Sequence, residues 1–184
     1  MDENALLLAA EDVVGLLHGH QVEAVVIGAV ALAAYHYVRQ TEDIDLGVVA
    51  SSKKLQALAE TLQKAGYKVT LHLPGTDDPL GGVLDVTTPA GLIQVVSFAG
   101  RFPRVIEDAI RLSTLAVRPG SPLRLVPLPH LIALKLYAGG TKSKADILEL
   151  FARNPDLKLS VVKKVCSAYR LRGLNALIRE AGLS

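Results

Sequence analysis

The chain has one cysteine, Cys166, in 184 residues, so no internal disulfide can form, and its Cys and His residues show no zinc-ligand spacing. That excludes a disulfide-stapled scaffold and a structural-zinc module, and it fits a reducing, cytoplasmic setting. No apolar run reaches the ~18 residues that a membrane span needs. The apolar stretch 5–10 lies between Asp2 and Glu3 on one side and Glu11 and Asp12 on the other, which is the wrong charge for a secretory leader. A Walker loop, a G-x-G-x-x-G turn and a G-x-S-x-G elbow are all missing. His18, His20, His36, His72 and His130 have no mutual spacing that suggests a metal site, and the lone Cys166 reads as core.

What is present is material for a core. Hydrophobic residues make up 50% of the chain, enough for one domain with a small helical appendage. Charge is divided unevenly. Residues 1–100 hold 5 Lys/Arg against 12 Asp/Glu, net −7, and residues 101–184 hold 15 against 6, net +9. An acidic half suits cations and a basic half suits phosphates, provided both border one cleft.

Periodicity sets the order of elements. Apolar positions at helical spacing predict a helix over 4–18. The β-branched run 22–28 predicts a buried strand ending in Gly28, followed by an Ala-rich helix over 29–38. Residues 43–49 form a second strand, and Ser51 or Ser52 caps a helix running to Gly66. Strands follow at 67–73, 83–88 and 92–98, the last two forming a hairpin around Pro89-Ala90-Gly91, with a loop over 74–82. A helix over 102–113, two short extended pieces and four helices from Pro129 onward complete the chain. The reading is an α+β core over residues 1–128, a small mixed sheet flanked by helices, with residues 129–184 as a helical segment packed on it.

The second strand poses the chemical question. Asp43 and Asp45 project from one face while Ile44 and Leu46 enter the core. Their Cβ atoms lie roughly 7 Å apart, which at an effective dielectric near 20 means about 2–3 kcal/mol of mutual repulsion. A bridging divalent cation removes that cost, and hard carboxylate oxygens suit Mg²⁺ or Mn²⁺. A solvated strand end is the ordinary alternative, but the apolar neighbours on both sides argue against it. Gly28, between a strand and a helix, permits a tight turn with exposed backbone N–H groups that favour phosphate.

The combination resembles the nucleotidyltransferase superfamily with the DNA-polymerase-β-type fold. That family's pattern is hydrophobic-Gly-[Gly/Ser], a spacer, then D-x-D; here Ile27-Gly28-Ala29 is followed by 13 residues and Asp43-Ile44-Asp45. The stretch Arg39-Gln40-Thr41-Glu42-Asp43-Ile44-Asp45-Leu46 is similar to the R-x-T-x-D-I-D-L of the AbiEii-like and MenT-like branch, which includes toxins of toxin–antitoxin systems. The segments 131–138 and 142–146 match that branch's L-I-x-x-K-L-x-A and its basic turn leading to an Asp. The resemblance runs from about residue 22 to 152. It implies the nucleotidyltransferase fold and metal-dependent transfer of a nucleoside monophosphate from an NTP to a hydroxyl.

By that resemblance Asp43 and Asp45 hold one or two Mg²⁺ ions, and Gly28 and Ala29 face the nucleotide's phosphates. Arg39 and Thr41 belong to the nucleotide-binding set, Arg39 contacting phosphate or acceptor or balancing the Asp pair. Lys135 meets a phosphate or orients Asp146, and Asp146 completes the polar site. Without the resemblance, Lys135 reads as a snorkelling side chain and Asp146 as a charge favoured by a helix N-terminus. The implied partners are an NTP, RNA or tRNA along the basic half, and an antitoxin or a second copy of the chain, with no membrane. Two departures stand out. Ala29 lacks the hydroxyl that Ser would offer a phosphate. Gln94 occupies the place where many members carry a third carboxylate, leaving Asp85 on the preceding strand as the nearby acid that could substitute.

Overall fold

In the computed structural model, which describes residues 3–75, 80–100 and 102–183, the elements form in the expected order. Helix α1 (Glu3–Gly19) leads into β1 (Ala24–Ile27), α2 (Gly28–Ala34), β2 (Asp43–Val48), α3 (Ser52–Lys64) and β3 (Lys68–His72). The hairpin β4 (Gly82–Thr88) and β5 (Gly91–Ser97) follows, then α4 (Pro103–Leu112), α5 (Leu128–Ala138), α6 (Gly140–Arg153), α7 (Leu159–Ala168) and α8 (Leu174–Glu180). Of the loop expected over 74–82, residues 76–79 lie outside the described residues.

The five strands make one mixed sheet in the order β1-β2-β5-β4-β3. Only β2 and β5 run parallel; the other neighbouring pairs are antiparallel. A parallel pair needs a crossover, which α3, β3 and β4 supply. Strand alternation then sorts the two faces. Ile44, Leu46, Leu84, Val86, Ile93 and Val95 are fully buried and join Leu6, Val13 and Leu17 of α1 and Leu55, Leu58 and Leu62 of α3 in one hydrophobic cluster. Burying each such side chain contributes about 1.5–3 kcal/mol, which fixes the register. A slip of one residue would turn both aspartates into that cluster.

Local signals set the boundaries. The Ser51 hydroxyl accepts the Lys54 N–H at 3.3 Å and caps α3 as expected. At the hairpin the Thr88 hydroxyl accepts the Gly91 N–H at 3.1 Å. The Ala-rich helix expected over 29–38 stops at Ala34, because tertiary bonds capture the next residue. The Tyr35 hydroxyl donates to the Val126 carbonyl at 2.8 Å, the Asn154 amide donates to the Tyr35 carbonyl at 2.9 Å, and His36 turns left-handed at φ 65°. The extended piece around residue 125 also has a structural job. Val26 donates to the Arg124 carbonyl at 2.7 Å and Val126 donates back to Val26 at 3.0 Å, covering the free edge of β1.

In the first turn of α5, His130 is 5% exposed and its Nδ1 has no partner among the described residues. Burial pushes its pKa below the ordinary 6.5, against the pull of Asp108, while Arg111 pushes the same way as burial. The unfolded chain therefore takes up a proton near pH 6.5 that the folded chain refuses. Stability is present above that pH and falls as the pH drops through it. Thermal melts from pH 8 to pH 5 should show this loss, and His130→Phe should flatten it.

Candidate active site

The site begins where β1 ends. Gly28 has φ +67° and opens α2. A Cβ there would overlap the Asp45 carboxylate, whose carboxyl carbon would lie only 2.7 Å away. Glycine is therefore required twice, by the left-handed turn and by the side chain resting on its backbone. Asp45 is paired in register with Ile27 on β1 and with Gln94 on β5. Asp43, two residues earlier on the same face, accepts a short hydrogen bond from the Thr41 hydroxyl. Burial first, and then the nearby Asp43 charge, hold the Asp45 carboxyl above its usual range; Lys135, Arg39 and Lys142 pull it down. The two carboxylates thus share a site that disfavours their joint charge.

Asp146 sits elsewhere than in the open cleft. Its side chain is 2% exposed and accepts from Lys135 Nζ at 2.7 Å and from Arg39 Nη1 at 3.1 Å. One buried carboxylate thereby ties together the loop before β2, α5 and α6. It also holds two cations close enough to act on Asp45. Lys135 and Arg39 thus share Asp146 as their partner.

Asp45 stands between two cavities. A polar one of ≈ 640 Å³ is lined by Ala29, Arg39, Gln40, Thr41, Glu42, Asp43, Asp45, Gln94 and Lys142. An apolar one of ≈ 560 Å³ is lined by Ile27, Gly28, Asp45, Leu80, Val96, Phe98, Leu131, Leu134, Lys135, Tyr137, Ala138 and Ser143. Eight of the ten residues singled out from the sequence (Gly28, Ala29, Arg39, Thr41, Asp43, Asp45, Gln94 and Lys135) thus line one of these cavities, while Asp146 supports them from behind. Asp85 lies one strand beyond Gln94, so about two strand spacings, ~10 Å, separate it from Asp45. Its carboxylate is occupied by the Gln94 amide at 2.8 Å and by His72 Nε2 at 2.8 Å. Among the described residues no group of three or more His, Cys, Asp or Glu side chains gathers around a common point. Sequence reasoning missed the apolar wall, and it had Lys142 only as part of a basic turn, not as a lining residue of the polar cavity. The signal for the wall was α5 itself, apolar all round, where one face lines a cavity.

No family model matches the chain, and no curated protein matches it. Solved structures do. The antibiotic-resistance factor ANT(2'')-Ia in solution aligns with TM-score 0.57 at 18% identity, over 92% of this chain and 93% of that one. The same factor in complex with adenylyl-2''-tobramycin gives 0.58 at 16%, over 89% and 96%. An antigenic nucleotidyltransferase-like protein from Paracoccidioides brasiliensis gives 0.57 at 15%, over 97% and 89%. The chain thus shares the fold of these nucleotidyltransferase-like neighbours, a mixed five-stranded sheet flanked by helices.

Proposed function

We propose that the chain is a metal-dependent nucleotidyltransferase, moving a nucleoside monophosphate from an NTP to an acceptor hydroxyl. The observation that carries the reading is Asp45 packed on the Gly28 backbone, with Asp43 on the same face, at the junction of a polar and an apolar cavity. The donor set fits Mg²⁺ or Mn²⁺. Two hard carboxylates share one face, and the charge on Asp45 is disfavoured until a cation offsets it. When bound, the cation supplies charge neutralisation at the α-phosphate and the departing pyrophosphate.

The chain's own residues do the rest. The apolar cavity, walled by Phe98, Leu134 and Tyr137, suits a base and sugar. Arg39 and Lys142 line the polar cavity, where phosphate charge would fall, and Lys135 is held at the apolar cavity's rim by Asp146. Ala29 offers only its backbone N–H to the nucleotide. The acceptor hydroxyl's oxygen bonds to the α-phosphorus as its proton passes to solvent, the bond from the α-phosphorus to the α,β-bridging oxygen breaks, and pyrophosphate leaves.

RNA or tRNA is the acceptor we favour. Lys158, Lys163, Lys164, Arg170, Arg172 and Arg179 make no ion pair among the described residues, and four of them line a cavity of ≈ 900 Å³ between α7 and α8. Uncompensated Arg and Lys in a concave surface suit phosphodiester oxygens. The similarity of residues 39–46 to the AbiEii-like and MenT-like branch supports a role in a toxin–antitoxin pair.

Incubation with Mg²⁺ and each α-labelled NTP, against total RNA and against small hydroxyl compounds, tests the acceptor. Label should enter RNA and fall about tenfold or more in an Arg170→Glu/Arg172→Glu/Arg179→Glu variant; label in small compounds alone would overturn the RNA reading. Gln94 in place of a third carboxylate favours one other reading, a nucleotide-binding module without turnover. Calorimetric binding of Mg²⁺-NTP with no labelled product would establish that one.

A further inference from the structure

Asp45, Gln94 and Asp85 lie in one row across β2, β5 and β4, each in register with the next. A carboxylate can only accept, so the 2.8 Å contact between Gln94 and Asp85 fixes which end of the carboxamide lies there: Nε2 donates to Asp85 Oδ1. The Asp85 Oδ2 is held from the other side by His72 Nε2 at 2.8 Å. The amide nitrogen is thus committed to the β4 side. The Gln94 oxygen, on the same carbon, is left for the β2 side, where Gln94 lines the polar cavity with Asp43 and Asp45.

This orientation is not the one Gln94 would choose alone. Beside two carboxylates, a free carboxamide turns its NH₂ toward them, since it can donate and they can only accept. An N–H pointing at a cation site repels the cation. Asp85 competes for the same NH₂ and wins by holding it. We infer that Asp85 is a positioning residue that turns the Gln94 oxygen toward Asp45, making it a neutral third oxygen for a divalent cation held by Asp43 and Asp45. The inference rests on the metal site of the proposed function. It also accounts for two features at once: the missing third carboxylate, and an acid one strand too far away to serve as a ligand itself. Amide carbonyls are accepted ligands for hard cations, though weaker than carboxylates. Partners that orient a ligand typically change metal affinity by about 10–100-fold.

The test is Mn²⁺ binding to nucleotide-free protein, read from the electron paramagnetic resonance signal of free Mn²⁺, with melts confirming that each variant is folded. Wild type should bind one Mn²⁺, and Asp85→Ala, which leaves the Gln94 NH₂ without its acceptor, should bind it about tenfold more weakly. The double variant Asp85→Asn/Gln94→Glu exchanges the two groups across the strand pair. The amide introduced at position 85 donates to the carboxylate introduced at position 94, whose other oxygen faces Asp45 with a charge. Binding should then return to the wild-type level or exceed it. A merely structural role for Asp85 would move the melting temperature and leave Mn²⁺ affinity alone. Unchanged affinity in Asp85→Ala, with binding lost in Asp45→Asn, overturns the inference and leaves the metal site standing. No Mn²⁺ binding by wild type overturns both.

Discussion

Replacing Asp45 with Asn is expected to abolish nucleotidyl transfer and, in the same protein, to raise the melting temperature of the metal-free form. The two effects share a cause. Burial and the Asp43 charge hold the Asp45 carboxyl above its ordinary 3.8, so the charged form is one that the folded state resists. For an acid raised in this way the sign is the reverse of the usual carboxylate. The penalty is fully present above the folded-state pKa and disappears as the pH falls below the ordinary value. Asparagine keeps the shape that packs on Gly28 and removes the charge. The relieved repulsion alone is about 2–3 kcal/mol, from charges ~7 Å apart at an effective dielectric near 20. At this chain length each kcal/mol is worth about 2–4 °C. Transfer, which needs the carboxylate for its cation, should fall about 10³-fold or more. Calorimetric melts at pH 4 and pH 8 check the stability half: the gap between wild type and Asp45→Asn should be wide at pH 8 and narrow toward pH 4. Added Mg²⁺ should stabilise wild type and leave the variant unmoved.

Asp146→Asn should have the opposite effect on stability. The side chain is 2% exposed, and its two cations, Arg39 and Lys135, are 28% and 17% exposed. Removing one member of a buried ion pair costs about 3–5 kcal/mol, because the partner is left charged without compensation. Here the partners keep some contact with solvent, which lowers the figure to about 2–4 kcal/mol. Urea unfolding should show the midpoint falling with an unchanged slope. Transfer should weaken as well, with KM rising as Arg39 and Lys135 lose their common anchor. A double-mutant cycle of Asp146→Asn with Lys135→Met separates the two: coupling of about 1 kcal/mol or more marks the pair as one unit.

Much of this arrangement is legible from local pattern. Strand alternation places Asp43 and Asp45 together because Ile44 and Leu46 can go only one way. Gly28 reads as a turn, but its second duty, making room for Asp45, depends on a contact 17 residues away that no local signal encodes. Ser51 announces α3 because a cap is a local bond. The end of α2 escapes the sequence for the converse reason. Its composition favours helix to residue 38, and bonds from Asn154 and to Val126 override it. The contact of Asp146 with Lys135 is foreseeable from the sequence, and its burial is not, since that depends on tertiary packing. Asp85 stands out in the sequence as an acid near the third position, and the register shows it acting on Gln94 across one strand.

The central claim is that the Asp43 and Asp45 face, set against Gly28, is a site of nucleotidyl transfer. The most direct measurement is incorporation of label from α-labelled NTPs with Mg²⁺ and total RNA, comparing wild type with Asp43→Ala/Asp45→Ala at matched folded protein. The account predicts label in RNA with wild type, loss of that label on chelation of the metal, and none with the double variant. Equal incorporation by both proteins, or none by wild type with any of the four NTPs, would contradict it.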